Sequence, residues 1–229
     1  MFFSFESMVV MFLGMAITMW AQFKVKSTFR KYDGFVARNG ATADQVARDI
    51  LQRGGLDVTV EHVRGNLTDH YDPRDQTLRL SDSVYGNRSL AAIGVAAHEA
   101  GHAFQHAQGY VPLSLRTSLV PVANLGSKLS WILIIAGFIF SMSGLLYLGI
   151  VFFSAAVIFS LVTLPVEFNA SSRALRILAD GGYLTSDEVP SSRKVLNAAA
   201  LTYVASALVA VLELVRLLWM SGLLGGSDD

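Results

Sequence analysis

Three stretches of this chain carry no charged residue over lengths that few structures other than a membrane helix accommodate: residues 7–23, 129–166 and 195–212. A membrane-crossing helix needs about 20 apolar residues, with a range of roughly 17–25. The first run is 17 residues long, and with neither a basic leading region nor an AxA-type cleavage site it is read as a retained anchor rather than a signal peptide. The second, 38 residues broken near its middle by Ser141-Met142-Ser143-Gly144, holds two helices as a hairpin if the first begins near Leu119 and Lys128 snorkels or faces protein. The third, 18 residues, extends past Glu213 and Arg216, which are three apart and placed to pair on one helix. Four spans result. Lys24, Lys26, Arg30 and Lys31 follow the first span, and Arg173, Arg176, Arg193 and Lys194 lie between the third and fourth. The positive-inside rule therefore puts residues 24–116 and 167–194 in the cytoplasm and both termini outside.

Only 16% of the 229 residues are charged, 52% are hydrophobic, and Lys+Arg and Asp+Glu balance at 18 each. That balance argues against a nucleic-acid partner, which normally leaves a basic excess. The absence of cysteine removes disulfides and thiolate ligands.

Within residues 24–116 the pattern changes to that of a small folded domain. Thr42-Ala43-Asp44-Gln45 reads as a capping box opening a helix that Gly54-Gly55 ends. Leu56, Val58 and Val60 alternate as a half-buried strand, and Leu67–Tyr71 and Thr77–Leu80 flank the turn sequence Asp72-Pro73-Arg74-Asp75. A small, apolar run from Ser89, a helix cap, leads into His98-Glu99-Ala100-Gly101-His102, and Gly109 and Pro112 close that helix. Residues four apart stack on one helical face, so His98 and His102 point at one spot with Glu99 beside it. Two neutral imidazoles meeting one cation, with a carboxylate able to take a proton from bound water, is the arrangement of a zinc hydrolase. The plainer alternative is a buried helix whose histidines hydrogen-bond to neighbours. A strand beside this helix offers an edge for an extended peptide, or merely covers the helix.

A third ligand has to come from elsewhere. His106 lies about 12 Å from His98 along the helix axis, too far to share a cation, and Gln105 and Gln108 occupy the positions where the longer HExxHxxGxxH pattern has glycine and histidine. A distant carboxylate, His62 or His70 remains. Glu167, after Pro165 at the cytoplasmic end of the third span, is the first choice because the hairpin carries it back to the domain; its plainer role is a favourable charge at a helix start. Asp180 is the rival, with Glu188 and Glu213 behind it. His70, Tyr71 and Arg173 are candidates to stabilise an oxyanion.

HEAGHAFQ at 98–105, GNLTDHYDPRDQTLRLS at 65–81 and LPVEFNASSRAL at 164–175, in this order around a membrane hairpin, resemble the YugP-like neutral zinc metallopeptidases, a bacterial membrane family, and more distantly the HtpX-type membrane proteases. The resemblance covers nearly the whole chain. It implies zinc ligands at His98, His102 and Glu167 with Glu99 as general base. HtpX-type proteins carry an aspartate four residues after the ligand glutamate; here Ser171 stands there, with Asn169 two after the glutamate.

The expected fold is an α+β integral membrane protein, mostly helical, with about four transmembrane helices and a small zincin-like domain carrying a β-hairpin and the HExxH helix. Its expected parts are an anchor (1–23), the cytoplasmic metallopeptidase domain (24–116), a transmembrane hairpin (117–166), a helix and loop carrying the third ligand (167–194), and a last transmembrane helix with its tail (195–229). The expected function is a multi-pass zinc endopeptidase of the bacterial inner membrane. It would cut polypeptide or membrane-protein substrates near the cytoplasmic surface, in a role such as membrane-protein quality control. An intramembrane protease and a non-catalytic scaffold with structural zinc are the alternatives.

Overall fold

The computed structural model describes residues 5–223; the first four residues of the expected anchor and residues 224–229 of the expected tail lie outside them. The elements are α1 (Phe5–Asp33), α2 (Ala43–Arg53), β1 (Thr59–Val63), β2 (His70–Asp72), β3 (Thr77–Ser81), α3 (Leu90–Ala107), α4 (Val111–Ile139), α5 (Ser143–Asp180) and α6 (Val189–Met220). Among the described residues, α1, α4, α5 and α6 are long and apolar enough to cross a membrane, and α3 is not one of them. The chain divides into two compact units, one of residues 1–21, 114–164 and 202–229, the other of residues 22–113 and 165–201.

The first unit is built from apolar helices. Ile134, Leu146, Ile150, Phe153, Val157 and Leu217 form its buried cluster, while Phe12, Trp20, Ile132 and Val151 are exposed, as lipid-facing side chains are. The break between α4 and α5 falls where the sequence is interrupted, with Ser141 in a left-handed conformation (φ 53°). Two glycines let the hairpin helices close up: a Cβ at Gly126 would lie 2.8 Å from the Phe152 carbonyl oxygen, and one at Gly137 2.7 Å from the Leu146 nitrogen. Gly144 has open space around it. Glu213 and Arg216 pair on α6, as their spacing predicts.

In the second unit, α2 and α3 pack with β1–β3 around a core that includes Ile50, Leu51, Leu78, Leu80, Ile93 and Leu178. α2 opens at the predicted capping box, the Gln45 side chain accepting the Thr42 N–H at 3.0 Å, and ends at Gly54. β3 is central in the order β1-β3-β2, parallel to β1 and antiparallel to β2. The predicted hairpin is therefore β2–β3, its turn held by Asp72, which accepts the Arg74 N–H at 3.0 Å. The preceding strand lies three residues later than its alternation implies. Leu56 and Val58 pack on the core from the connecting segment without joining the sheet, because apolar alternation reports burial and not ladder pairing.

α5 is also longer than the sequence reading. It runs unbroken through Pro165, so Glu167 sits inside a helix of 38 residues rather than opening a new one. A proline in a long apolar helix removes one hydrogen bond but leaves the rest of the ladder to carry the helix through. α4 likewise contains Pro121.

Candidate metal centre

α3 begins where Ser89 accepts the Ala92 N–H at 3.1 Å and ends before Gly109, which takes φ 61°. Its buried face is mostly alanine and glycine: Ala92, Ala96, Ala100 and Ala103 are almost wholly covered. Small side chains let neighbouring helices approach closely. A Cβ at Gly101 would stand 2.8 Å from the Ala170 carbonyl oxygen of α5, and one at Gly94 3.2 Å from the Cβ of Ser192 on α6. Residue 101 lies between the two histidines, so α5 meets α3 backbone to backbone at the level of the motif. That contact brings Glu167, 2% exposed, over the imidazoles.

Glu167 Oε2 is 3.3 Å from His98 Nε2 and 3.7 Å from His102 Nε2. One ligand atom from each of the three residues lies within 4.8 Å of the others, the one such group of three among the described residues. The far nitrogen of each ring is engaged. Gln105 donates its amide hydrogens to the Val166 carbonyl (2.9 Å) and Asn169 Oδ1 (3.0 Å), which turns its Oε1 to His102 Nδ1 at 3.0 Å. His102 Nδ1 must then carry the proton, leaving the Nε2 lone pair facing Glu167. Ser171 Oγ lies 3.1 Å from His98 Nδ1. Two imidazole nitrogens turned toward one carboxylate form a donor set that, once deprotonated, suits zinc.

Charge is arranged to match. Burial opposes a charged His102, but the Glu167 and Glu99 carboxylates outweigh it and hold the pKa above the ordinary imidazole value. Glu99 is 8% exposed, and no hydrogen bond or ion pair holds its carboxylate among the described residues. Asp69 lies close enough to feel it. Burial pushes the Asp69 carboxyl up against the lowering effect of hydrogen bonds from Ser81 N–H (2.7 Å) and Oγ–H (2.9 Å), and the Glu99 charge adds to the rise.

The rival ligands are placed elsewhere. Asp180 is thirteen residues beyond Glu167 on the same helix, about 20 Å along its axis. Glu188 accepts the Arg38 and Thr185 N–H groups, His62 pairs with Asp82 at 2.7 Å, and His70 Nδ1 bonds the Thr68 carbonyl. His106 meets Tyr71 through its hydroxyl at 2.9 Å. Arg173, another oxyanion candidate, is bound to Asn169 at 2.6 Å and to Gln108, bracing α5 against the end of α3. In the sequence Gln105 and Ser171 stand out only as departures from related patterns, and the structure makes both of them partners of the histidine rings. Gln105 stands three residues after His102, a spacing that puts a side-chain amide within reach of the ring.

Comparison with known proteins points to the same metal. The family described as "Putative neutral zinc metallopeptidase" matches residues 7–222. The "Putative membrane protease YugP" of Bacillus subtilis (strain 168) is 50% identical over 226 residues, covering 97% of this chain and 100% of the relative. No solved structure matches.

Proposed function

The chain belongs to the neutral zinc metallopeptidase family, and from that premise we propose that it is a membrane-anchored endopeptidase cutting polypeptides near the cytoplasmic membrane surface. The observation that carries this reading is the convergence of His98, His102 and Glu167 with an unpaired Glu99 one residue from the first ligand. His98, His102 and Glu167 would hold the zinc, which when bound would supply a water of pKa about 7 and a Lewis acid for the scissile carbonyl. Glu99 accepts a proton at its carboxylate and returns it to the departing amine. Gln105 and Ser171 fix the ring orientations, so the Nε2 atoms need no reorganisation when the site is loaded. β2 is an edge strand of the sheet and gives an extended peptide a backbone to pair with.

α3 is not one of the four apolar helices, and this favours a surface site over proteolysis inside the bilayer. The basic residues at the inner ends of the spans favour the cytoplasmic side. The scaffold reading makes a different prediction for Glu99. In purified full-length protein, Glu99→Gln keeps stoichiometric zinc by elemental analysis and loses peptide cleavage by at least about 10²-fold, the scale of general-base catalysis. Undiminished cleavage by this variant would discard Glu99 as the base, and full biological activity without any peptide cleavage would favour a scaffold with structural zinc.

A further inference from the structure

A second set of chemistry-bearing side chains lies along α5, adjoining the first at Ser171. A groove of about 380 Å³ is lined by one stripe of α5, which includes Phe168, Ser172 and Arg176, and by one stripe of α6, which includes Arg193, Asn197 and Ala200. The guanidinium groups of Arg176 and Arg193, one from each helix, both line this groove. Among the described residues neither arginine has a hydrogen bond or ion pair, and neither has Ser172 or Asn197. Arginines nearby are spoken for: Arg38 by Asp187, and Arg173 by Asn169 and Gln108.

The groove is apolar at its Phe168 end, and Leu175, Ala179 and Val189 also border the arginines. Phe168, 49% exposed, and Ala200 lie where the uncharged runs of α5 and α6 meet the charged segment, and Arg176 is about 12 Å further along α5 from Phe168. Such a change from apolar to basic composition marks the level of lipid headgroups, where basic residues attract anionic lipid. An arginine pair offers forked donors that match phosphate oxygens. A soluble phosphate would use the arginines but leave the apolar end idle.

We propose that the α5–α6 groove binds the headgroup of an anionic glycerophospholipid, its phosphate between Arg176 and Arg193 and its acyl end toward Phe168 and Ala200. This is independent of the peptidase reading. Native mass spectrometry of the full chain in detergent, titrated with phosphatidylglycerol or phosphatidylcholine, tests it. The wild type retains phosphatidylglycerol in preference. Arg176→Gln/Arg193→Gln lowers that retention about tenfold or more, in keeping with the strength of basic contacts at an anionic surface. Ser172→Glu, which puts a carboxylate into the groove, does the same. The control Lys24→Gln/Lys26→Gln removes equal charge from α1 and leaves the preference in place. Equal loss in that control would reduce the effect to diffuse attraction and overturn the site, as would unchanged retention in the arginine pair variant. Displacement of the lipid by millimolar inorganic phosphate would assign the groove to a soluble anion and overturn the lipid proposal. Melting temperature and zinc content, unchanged in all variants, exclude misfolding as the cause.

Discussion

Each of the two units contains a carboxylate removed from water, and they are satisfied in opposite ways. Glu213 in the apolar unit is held by Arg216, three residues away on the same helix and itself 6% exposed. Glu167 in the other unit faces two imidazoles that come from a helix 65 or more residues away in sequence. A guanidinium is a permanent cation with no lone pair to offer, so the first cluster is closed to a metal. An imidazole presents a lone pair once it gives up its proton, so the second cluster can hold a metal ion. Burial of an acid is thus common to both, and the chemistry of its partner decides whether the place is structural or functional.

Removing the acid from the ligand set gives the largest expected effect. Glu167→Gln and His102→Ala lose zinc altogether on dialysis against a weak chelator, while the same treatment leaves the wild type loaded; retention of full zinc by Glu167→Gln would erase the distinction between the clusters. Arg216→Met should cost about 3–5 kcal/mol of stability by stranding Glu213, and Glu213→Leu/Arg216→Met should recover most of it. Thermal denaturation in detergent reads both, and zinc content stays unchanged.

A smaller effect is expected one step out from the ligands. Gln105→Leu frees the His102 ring and should weaken zinc binding about 10–100-fold, measured by competition with a chromophoric chelator. Asp69 sharpens the contrast last, as a third shielded acid with hydroxyl and amide partners. Its folded pKa is raised, so its stabilising contribution is full below the ordinary carboxylate value and is lost as pH rises through the folded one. Asp69→Asn keeps the Ser81 contacts and should be neutral or stabilising by under about 1 kcal/mol at pH 8 relative to pH 4, read as a flatter profile of melting temperature against pH.

The spans and the paired histidines were legible because each is a local property of the chain: length without charge, and spacing on one helix. Glu167 was legible from its place after the hairpin and from the resemblance of LPVEFNASSRAL. The continuity of α5 through Pro165 was not, since proline's local preference against helix is overridden by the ladder on either side. β1 was displaced for a similar reason, its pairing with β3 being fixed by a partner 18 residues away. Gln105 was noticed only as a departure from a longer histidine pattern, whereas its role depends on Val166 and Asn169, which no sequence spacing connects to it.

A search pattern treats the two residues between Glu99 and His102 as wildcards, but the fold does not. Position 101 is a spacer whose thickness sets how far Glu167 stands from the two histidines, because the α5 main chain rests against it. Any larger residue there must be matched by a retreat of α5 at Ala170, which would draw Glu167 away from His98 and His102, and a cation held by all three would tolerate a change of only about a few tenths of an ångström. Because the contact is with main-chain atoms of Ala170, no side-chain change at 170 relieves it, so glycine at 101 should accompany His98, His102 and Glu167 in related sequences, which a survey of them can read directly.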